Sequence, residues 1–294
     1  MCKRDKMKLF SQRKGIKPAK SKIQSDSMDN ELRTGLWNVC KIYYWDKLSP
    51  TRPAPYSRYS CLSTHEDLHL LCRRLWIRYF KRPLDTLDDV WFNTYNKIKK
   101  YFFECAWNEV YDFIEFVAKN YPDESVNQKF IDYCNIVLER ELSAYSFVNG
   151  IITQITSKEE ISAIEEALKV PISPVREHLN SALRLLSDRK NPDYRNSIKE
   201  SISAVESLCN LIAGKEKATL GQALKEIESK IALHPALKKA FSHLYGYTSD
   251  ADGIRHSLMD ETSVAFEDAK YMLVSCSSFI NYLLAKAEKE GINL

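Results

Sequence analysis

A chain of 294 residues, 44% hydrophobic and 28% charged, has the composition of a soluble globular protein and is long enough for two domains of ordinary size. Only eight glycines occur, apolar residues recur at helical spacing almost throughout, and no stretch is long and apolar enough to span a membrane. The net charge of +4 is uneven, because residues 1–27 carry nine Lys/Arg against Asp5 and Asp26, giving +7 there and −3 elsewhere.

Residues 1–27 therefore read as a basic flexible arm. Such an arm is suited to phosphate contact, but as a solvated terminus it needs none. It leads to Leu9-Phe10 rather than an apolar run, so no signal peptide is expected. The eight cysteines (Cys2, Cys40, Cys61, Cys72, Cys105, Cys134, Cys209, Cys276) form no Cys-x-x-Cys pair. Several sit among apolar residues of predicted helices, which points to reduced, buried thiols in a cytoplasmic protein.

The first helix is predicted from Met28-Asp-Asn-Glu31, with Asp29 as N-cap, and runs towards Asp46 before the proline-rich loop 49–55. A second helix is expected from Thr64 to Phe80, ended by Pro83. A long helical region over residues 88–120 carries ten aromatics, and another helix spans about 124–142. Asn149-Gly150 between two short β-prone runs predicts a small β-hairpin near 145–155. Ser157-Lys-Glu-Glu160 reads as a capping box that opens a helix to about Leu168. Further helices follow at about 174–189, 194–213, 219–231, 235–245 and 266–290. All five tryptophans precede residue 108, and 25 of the 33 aromatics precede residue 150. The fold class is mainly α with one hairpin, and the expected division is an arm (1–27), an aromatic-rich helical domain (28–156) and a lean helical bundle (157–294).

Three constellations carry potential chemistry. His65-Glu66-Asp67-Leu68-His69 matches the zinc-protease helix, in which two histidines one turn apart bind metal and the glutamate activates water. Thr64 as N-cap with Asp67 at the third position explains the acids without metal, and that reading is preferred. Asp46, Asp85, Asp88 and Asp89 form no obvious pair and read as turn and capping residues.

Arg195-Asn196 opens the helix at Tyr194, with Glu200 and Glu206 further along. These residues fit either a phosphate-facing arginine backed by acids or a surface helix with compensated charges. Arg255-His256 with Asp260 differs in kind. If Asp252-Gly253 caps a helix, His256 and Asp260 stand one turn apart, where the carboxylate fixes the imidazole tautomer. Arg255 adds a planar cation for phosphate oxygens. Spacing alone also fits a structural Arg255–Asp260 ion pair.

Several runs carry a resemblance. Tyr194-Arg-Asn-Ser-Ile-Lys-Glu-Ser-Ile-Ser-Ala-Val-Glu206, His234-Pro-Ala-Leu-Lys238, residues 245–261 and Phe266-Glu-Asp-Ala-Lys270 resemble the HEPN-type domains of AbiJ-like abortive-infection proteins. Phe10-Ser-Gln-Arg13, residues 28–38, Tyr79-Phe-Lys-Arg-Pro-Leu-Asp85 and the Asn149-Gly150 hairpin resemble the N-terminal domain found ahead of them.

The resemblance implies a helical bundle that dimerises through the C-terminal domain and a metal-independent, cofactor-free endoribonuclease of prokaryotic antiphage defence, with RNA as partner. The HEPN motif places a histidine about five positions after its arginine. Arg255 matches that arginine, and Asp260 stands where the histidine is expected. The implied roles are therefore Arg255 on the phosphate, His256 for proton transfer and Asp260 as its orienter, with Arg195, Asn196 and Glu206 as secondary RNA contacts. Two other readings stay open: a catalytically degenerate dimer that binds or senses RNA, and a zinc hydrolase using His65, Glu66 and His69.

Overall fold

The structure, a computed structural model, describes residues 10–14, 23–48, 60–188, 191–215, 218–231, 233–249, 264–292 and 294. The chain divides into two compact units, Met1–Gln154 and Ile155–Leu294. The first holds α1 (Phe10–Arg13), α2 (Asn30–Tyr43), α3 (Glu66–Arg74), α4 (Trp91–Glu104), α5 (Trp107–Asn120), α6 (Glu124–Arg140), β1 (Ser146–Val148) and β2 (Ile151–Thr153). The second holds α7 (Lys158–Leu168), α8 (Ser173–Ser187), α9 (Tyr194–Ala213), α10 (Leu220–Ile227), α11 (Pro235–Ser249) and α12 (Phe266–Lys289). The fold is mainly α. Among the described residues, no helix is long and apolar enough to cross a membrane.

In the first unit, Asp29 caps α2 as predicted, its carboxylate accepting the Leu32 N–H at 2.8 Å. Gln24 ties the preceding stretch down. Its N–H donates to the Leu142 carbonyl (2.9 Å), and its side-chain amide donates to the Glu141 carbonyl (2.7 Å). The arm expected through residue 27 is thus pinned at Gln24, because its side chain finds a partner 117 residues away and its backbone one beside it. α2 crosses α6 at Gly35, where a β-carbon would lie 2.7 Å from Val137 Cγ1, so only glycine lets the two helices come this close.

Two helical expectations are corrected. Thr64 does not cap the second helix. It lies in a 3-10 turn (Leu62–Thr64) with its hydroxyl on the Cys61 carbonyl (2.6 Å), and His65 caps α3 by accepting the Leu68 N–H on Nδ1 (3.4 Å). α3 then widens into a π turn, Leu75–Tyr79, where the Phe80 N–H reaches back to the Leu75 carbonyl (2.8 Å). The wider turn accompanies two polar anchors: the Trp76 indole donates to Thr86 Oγ1 (3.1 Å), and the Tyr79 hydroxyl donates to the Glu109 carbonyl (3.0 Å).

The region 88–120 is two helices, parted at Cys105-Ala106 without any glycine or proline. Arg33 of α2 donates to the Phe102 carbonyl (2.6 Å) at the end of α4. Glu109 accepts the Ala106 N–H (2.8 Å) at the start of α5.

The core of this unit is built from rings. Phe113 is fully buried and contacts the rings of Trp45, Tyr79, Phe102 and Tyr101 at centroid distances of 6.3, 5.6, 5.5 and 6.2 Å. The hairpin forms as predicted, with Ser146 opposite Thr153 and Val148 opposite Ile151. Asn149 and Gly150 carry positive φ (47° and 72°), the pairing that a tight two-residue turn requires. Asn135 of α6 accepts the Phe147 N–H (2.7 Å) and donates to its carbonyl (3.0 Å), and Glu115 of α5 accepts the Ile152 N–H (2.8 Å). Side chains thus satisfy the hairpin edges.

In the second unit α9 is packed by α8, α10 and α12. Its apolar face (Ile198, Ile202, Val205, Leu208, Ile212) meets Leu179, Leu183 and Leu186 of α8 and Leu273, Ile280 and Leu283 of α12, all buried. Buried serines line the close contacts: Ser197 donates to the Ala182 carbonyl (2.8 Å) and Ser201 to the Ser197 carbonyl (2.9 Å). Asp193 caps α9, and Gly214, in the left-handed conformation, ends it. Lys230 donates to the last carbonyls, Ile212 (2.9 Å) and Ala213 (3.0 Å).

The capping box at Ser157 is half made. Ser157 accepts the Glu160 N–H (3.3 Å), but the Glu160 carboxylate pairs with Lys270 of α12 (2.8 Å). α11 continues through Gly246 to Ser249, beyond the end expected at Tyr245.

Candidate functional site

α8 and α9 form an antiparallel pair joined through Asn191-Pro192, and this pair carries the most chemistry among the described residues. The Asp193 N–H donates to the Leu185 carbonyl (3.1 Å), and Ser197 reaches Ala182 one turn further on. The same register brings His178 opposite Glu200, with imidazole Nδ1 2.7 Å from Glu200 Oε2. Neither group is buried, since the side chains are 36% and 27% exposed. On the same ridge of α8, Arg184 bends back to place Nη2 3.2 Å from Ser181 Oγ.

Sequence reading passed over His178, because its partner lies 22 residues away on the neighbouring helix. The signal that finds it is the antiparallel register itself, once α8 and α9 are taken as a helical hairpin.

The secondary residues are spread along α9. The Asn196 N–H and side-chain amide both go to Asp193 (2.9 and 2.6 Å), so this asparagine completes the N-cap. Arg195 is half-buried next to it. Glu206 lies 11 residues beyond Arg195, about 16 Å along the helix axis, so the two do not share one site. Burial, reinforced by the Glu206 charge, pushes the Cys209 thiol up to about 12, and burial alone does the same for Cys276. Cys40, Cys72 and Cys134 are likewise buried and raised. These are packing thiols, since a reactive cysteine needs an accessible thiolate.

In the first unit, His65 and His69 stand one turn apart, and the His69 N–H donates to the His65 carbonyl (2.9 Å). His65 Nδ1 is occupied as the α3 cap. His69 borders a cavity of about 340 Å³ with Leu62, Arg73, Leu84, Leu87 and Asp89. The Asp89 carboxylate already accepts the Ser63 N–H (2.8 Å) and hydroxyl (3.0 Å). The Ser63 backbone N–H is the main cause that holds this carboxyl below the usual range, with the hydroxyl and His69 adding to it.

Asp88 accepts from the Val90 N–H and the Asn93 amide (2.9 and 2.8 Å), and Asp46 pairs with Lys41. Among the described residues, no three His, Cys, Asp or Glu side chains gather where a metal ion could be held. A shallow groove of about 480 Å³ between α7 and α12 is lined by Lys158, Glu159, Ser162, Glu166 and Asn281, and the Asn281 amide is spent on the Ala163 carbonyl (2.9 Å). Arg255, His256 and Asp260 lie outside the described residues.

Comparison with known proteins adds one match, to the family model of AbiJ N-terminal domain 4, over residues 8–170. No curated protein and no solved structure matches the chain. The matched region takes in all of the described first unit, hairpin included, together with α7, and it spans more than half of the sequence. The chain therefore belongs to the AbiJ N-terminal domain 4 family.

Proposed function

We propose that this protein is a metal-independent endoribonuclease of a prokaryotic abortive-infection system, with an AbiJ N-terminal domain ahead of a HEPN-type helical domain that dimerises and cuts RNA in the cytoplasm. The observation that carries this reading is the family membership over residues 8–170. A helical unit with its own buried core follows in the same chain, and its sequence holds Arg255, His256 and Asp260.

In this reading the 2′-hydroxyl attacks the adjacent phosphate, and the 5′-oxygen leaves behind a cyclic phosphate. Arg255 neutralises the charge that builds on the phosphate oxygens. His256 transfers protons, oriented by Asp260.

The test is incubation of the purified protein with total RNA, with and without chelator. Chelator-resistant cleavage that is lost in Arg255→Ala and His256→Ala supports the proposal. Cleavage at the wild-type rate by the Arg255→Ala, His256→Ala and Asp260→Ala variants would sink it. Binding without cleavage would favour the degenerate, RNA-sensing dimer, whose sequence sign is Asp260 in place of the motif histidine.

A further inference from the structure

We infer that the cavity beside α3 is a binding site for a free nucleoside 5′-monophosphate, with Arg73 and His69 on the phosphate, Leu62, Leu84 and Leu87 against the base, and Asp89 on the ribose hydroxyls. All six residues belong to the first unit. The site goes beyond the ribonuclease reading and does not depend on it.

The cavity, of about 340 Å³, is of a size that small ligands occupy. Its walls are tied together by the protein's own hydrogen bonds. The Leu62 N–H donates to the Asp89 carbonyl (2.6 Å), and the Ser63 N–H and hydroxyl both go to the Asp89 carboxylate (2.8 and 3.0 Å). The Trp76 indole donates to Thr86 Oγ1 (3.1 Å), which anchors the turn Leu84–Thr86. The space is therefore formed before any ligand enters.

Two donors open on it with nothing to do. His69 and Arg73 stand four residues apart on α3, so their β-carbons are ~5–6 Å apart on one face. Both line the cavity, and among the described residues neither side chain makes a hydrogen bond or an ion pair. The neighbouring Arg74, by contrast, spends its guanidinium on the Asn120 carbonyl. An imidazole and a guanidinium one turn apart suit a single phosphate, whose several oxygens can accept from both.

The remaining lining groups choose among phosphate-bearing molecules. Leu62, Leu84 and Leu87 make an apolar wall, and Leu84 is left 37% exposed, a surface that a planar base would cover. The Asp89 carboxylate accepts two bonds from Ser63 and keeps lone pairs for more. It repels a phosphate and attracts hydroxyls, as carboxylates do at the ribose of bound nucleotides. A cationic pair, an apolar wall and an acceptor carboxylate thus correspond to phosphate, base and sugar. A nucleotide within a strand has its 3′-oxygen esterified, so a free nucleotide is the form that offers Asp89 both hydroxyls.

The experiment titrates the four nucleoside 5′-monophosphates, their nucleosides and inorganic phosphate into the full-length protein by calorimetry. Saturable binding of a monophosphate is expected, with its nucleoside and inorganic phosphate each about tenfold or more weaker. Arg73→Ala, at an exposed and unpartnered position, is expected to melt with the wild type and to bind about 10–100-fold more weakly. Leu84→Asp sets a second carboxylate on the apolar wall and is expected to abolish binding without moving the melting temperature. The inference is overturned if the wild type shows no saturable binding, if Arg73→Ala binds as the wild type does, or if inorganic phosphate binds as tightly as the nucleotide. None of these readouts involves RNA cleavage, so each leaves the ribonuclease reading where it stood.

Discussion

Twenty-five of the 33 aromatic side chains lie in the first unit and eight in the second, and the two backbones differ accordingly. Rings with polar tips usually take hydrogen-bond partners when buried, and in the first unit, the unpartnered Trp45 indole apart, those tips shape the chain. The Trp91 indole goes to the Leu48 carbonyl (3.0 Å), the Tyr44 hydroxyl to Asn127 (2.9 Å) and the Tyr111 hydroxyl to Ser143 (2.8 Å). The cost is irregularity: a π turn at Leu75–Tyr79, 3-10 turns, and left-handed residues at Lys81 and Leu142. The second unit uses leucine, isoleucine, alanine and buried serine, and its helices α9 and α12 run 20 and 24 residues without a π turn. A core of bulky amphipathic side chains fixes a non-ideal backbone, whereas a core of small and aliphatic ones lets the helices stay regular.

The largest test of that contrast removes a ring. Phe113→Ala, which deletes the hub of four ring contacts, should destabilise the first unit by about 3–5 kcal/mol, seen in tryptophan fluorescence because all five tryptophans lie there. Leu208→Ala, fully buried in α9, should cost about 2–5 kcal/mol in the second unit and appear in far-UV circular dichroism. If each substitution moves both signals equally, the two units unfold as one and their cores do not act separately.

A smaller effect separates two glycines. Gly35→Ala forces a β-carbon against Val137 and should cost about 1–3 kcal/mol in chemical denaturation. Gly221→Ala on α10 meets nothing within 4 Å and should be neutral or stabilising by up to ~1 kcal/mol. Equal losses at the two positions would contradict the close α2–α6 crossing. Below these comes the loss of a cap: Asp193→Ala is expected to lower the second unit's stability by about 1 kcal/mol, read as a shift in its melting transition.

The smallest change is electrostatic. The Ser125 hydroxyl and the Val126 N–H hold the Asp123 carboxyl below its ordinary 3.8 at the start of α6. A carboxyl lowered on folding contributes stability that is complete above its unfolded value and lost as pH falls through its folded value. Melting temperature should therefore drop below about pH 4 in the wild type, and the drop should be shallower in Asp123→Asn. Parallel curves for the two proteins would show that the α6 cap does not contribute.

The sequence by itself determined what neighbouring residues decide. Asp29 at α2 was legible as a cap, because a carboxylate reaches an N–H three residues on. Asn149-Gly150 was legible as a turn, because few residues accept positive φ twice in succession. The mainly α fold followed from periodicity, and the AbiJ N-terminal domain from runs that the family match covers in the first unit.

Tertiary structure alone decided the rest, through partners remote in the chain. Arg33 meets the end of α4 from 69 residues away, where no local residue marks a break. Asp89 holds Ser63 across 26 residues, and His65 rather than Thr64 becomes the cap. Lys270 draws Glu160 out of its capping box. The pairing of His178 with Glu200 belongs to this second class. Periodicity gave each helix its apolar face, but only the antiparallel register of α8 and α9 brought imidazole and carboxylate to 2.7 Å. Short-range hydrogen bonds are written in adjacent letters, while contacts between helices depend on how their surfaces fit, which no single helix encodes.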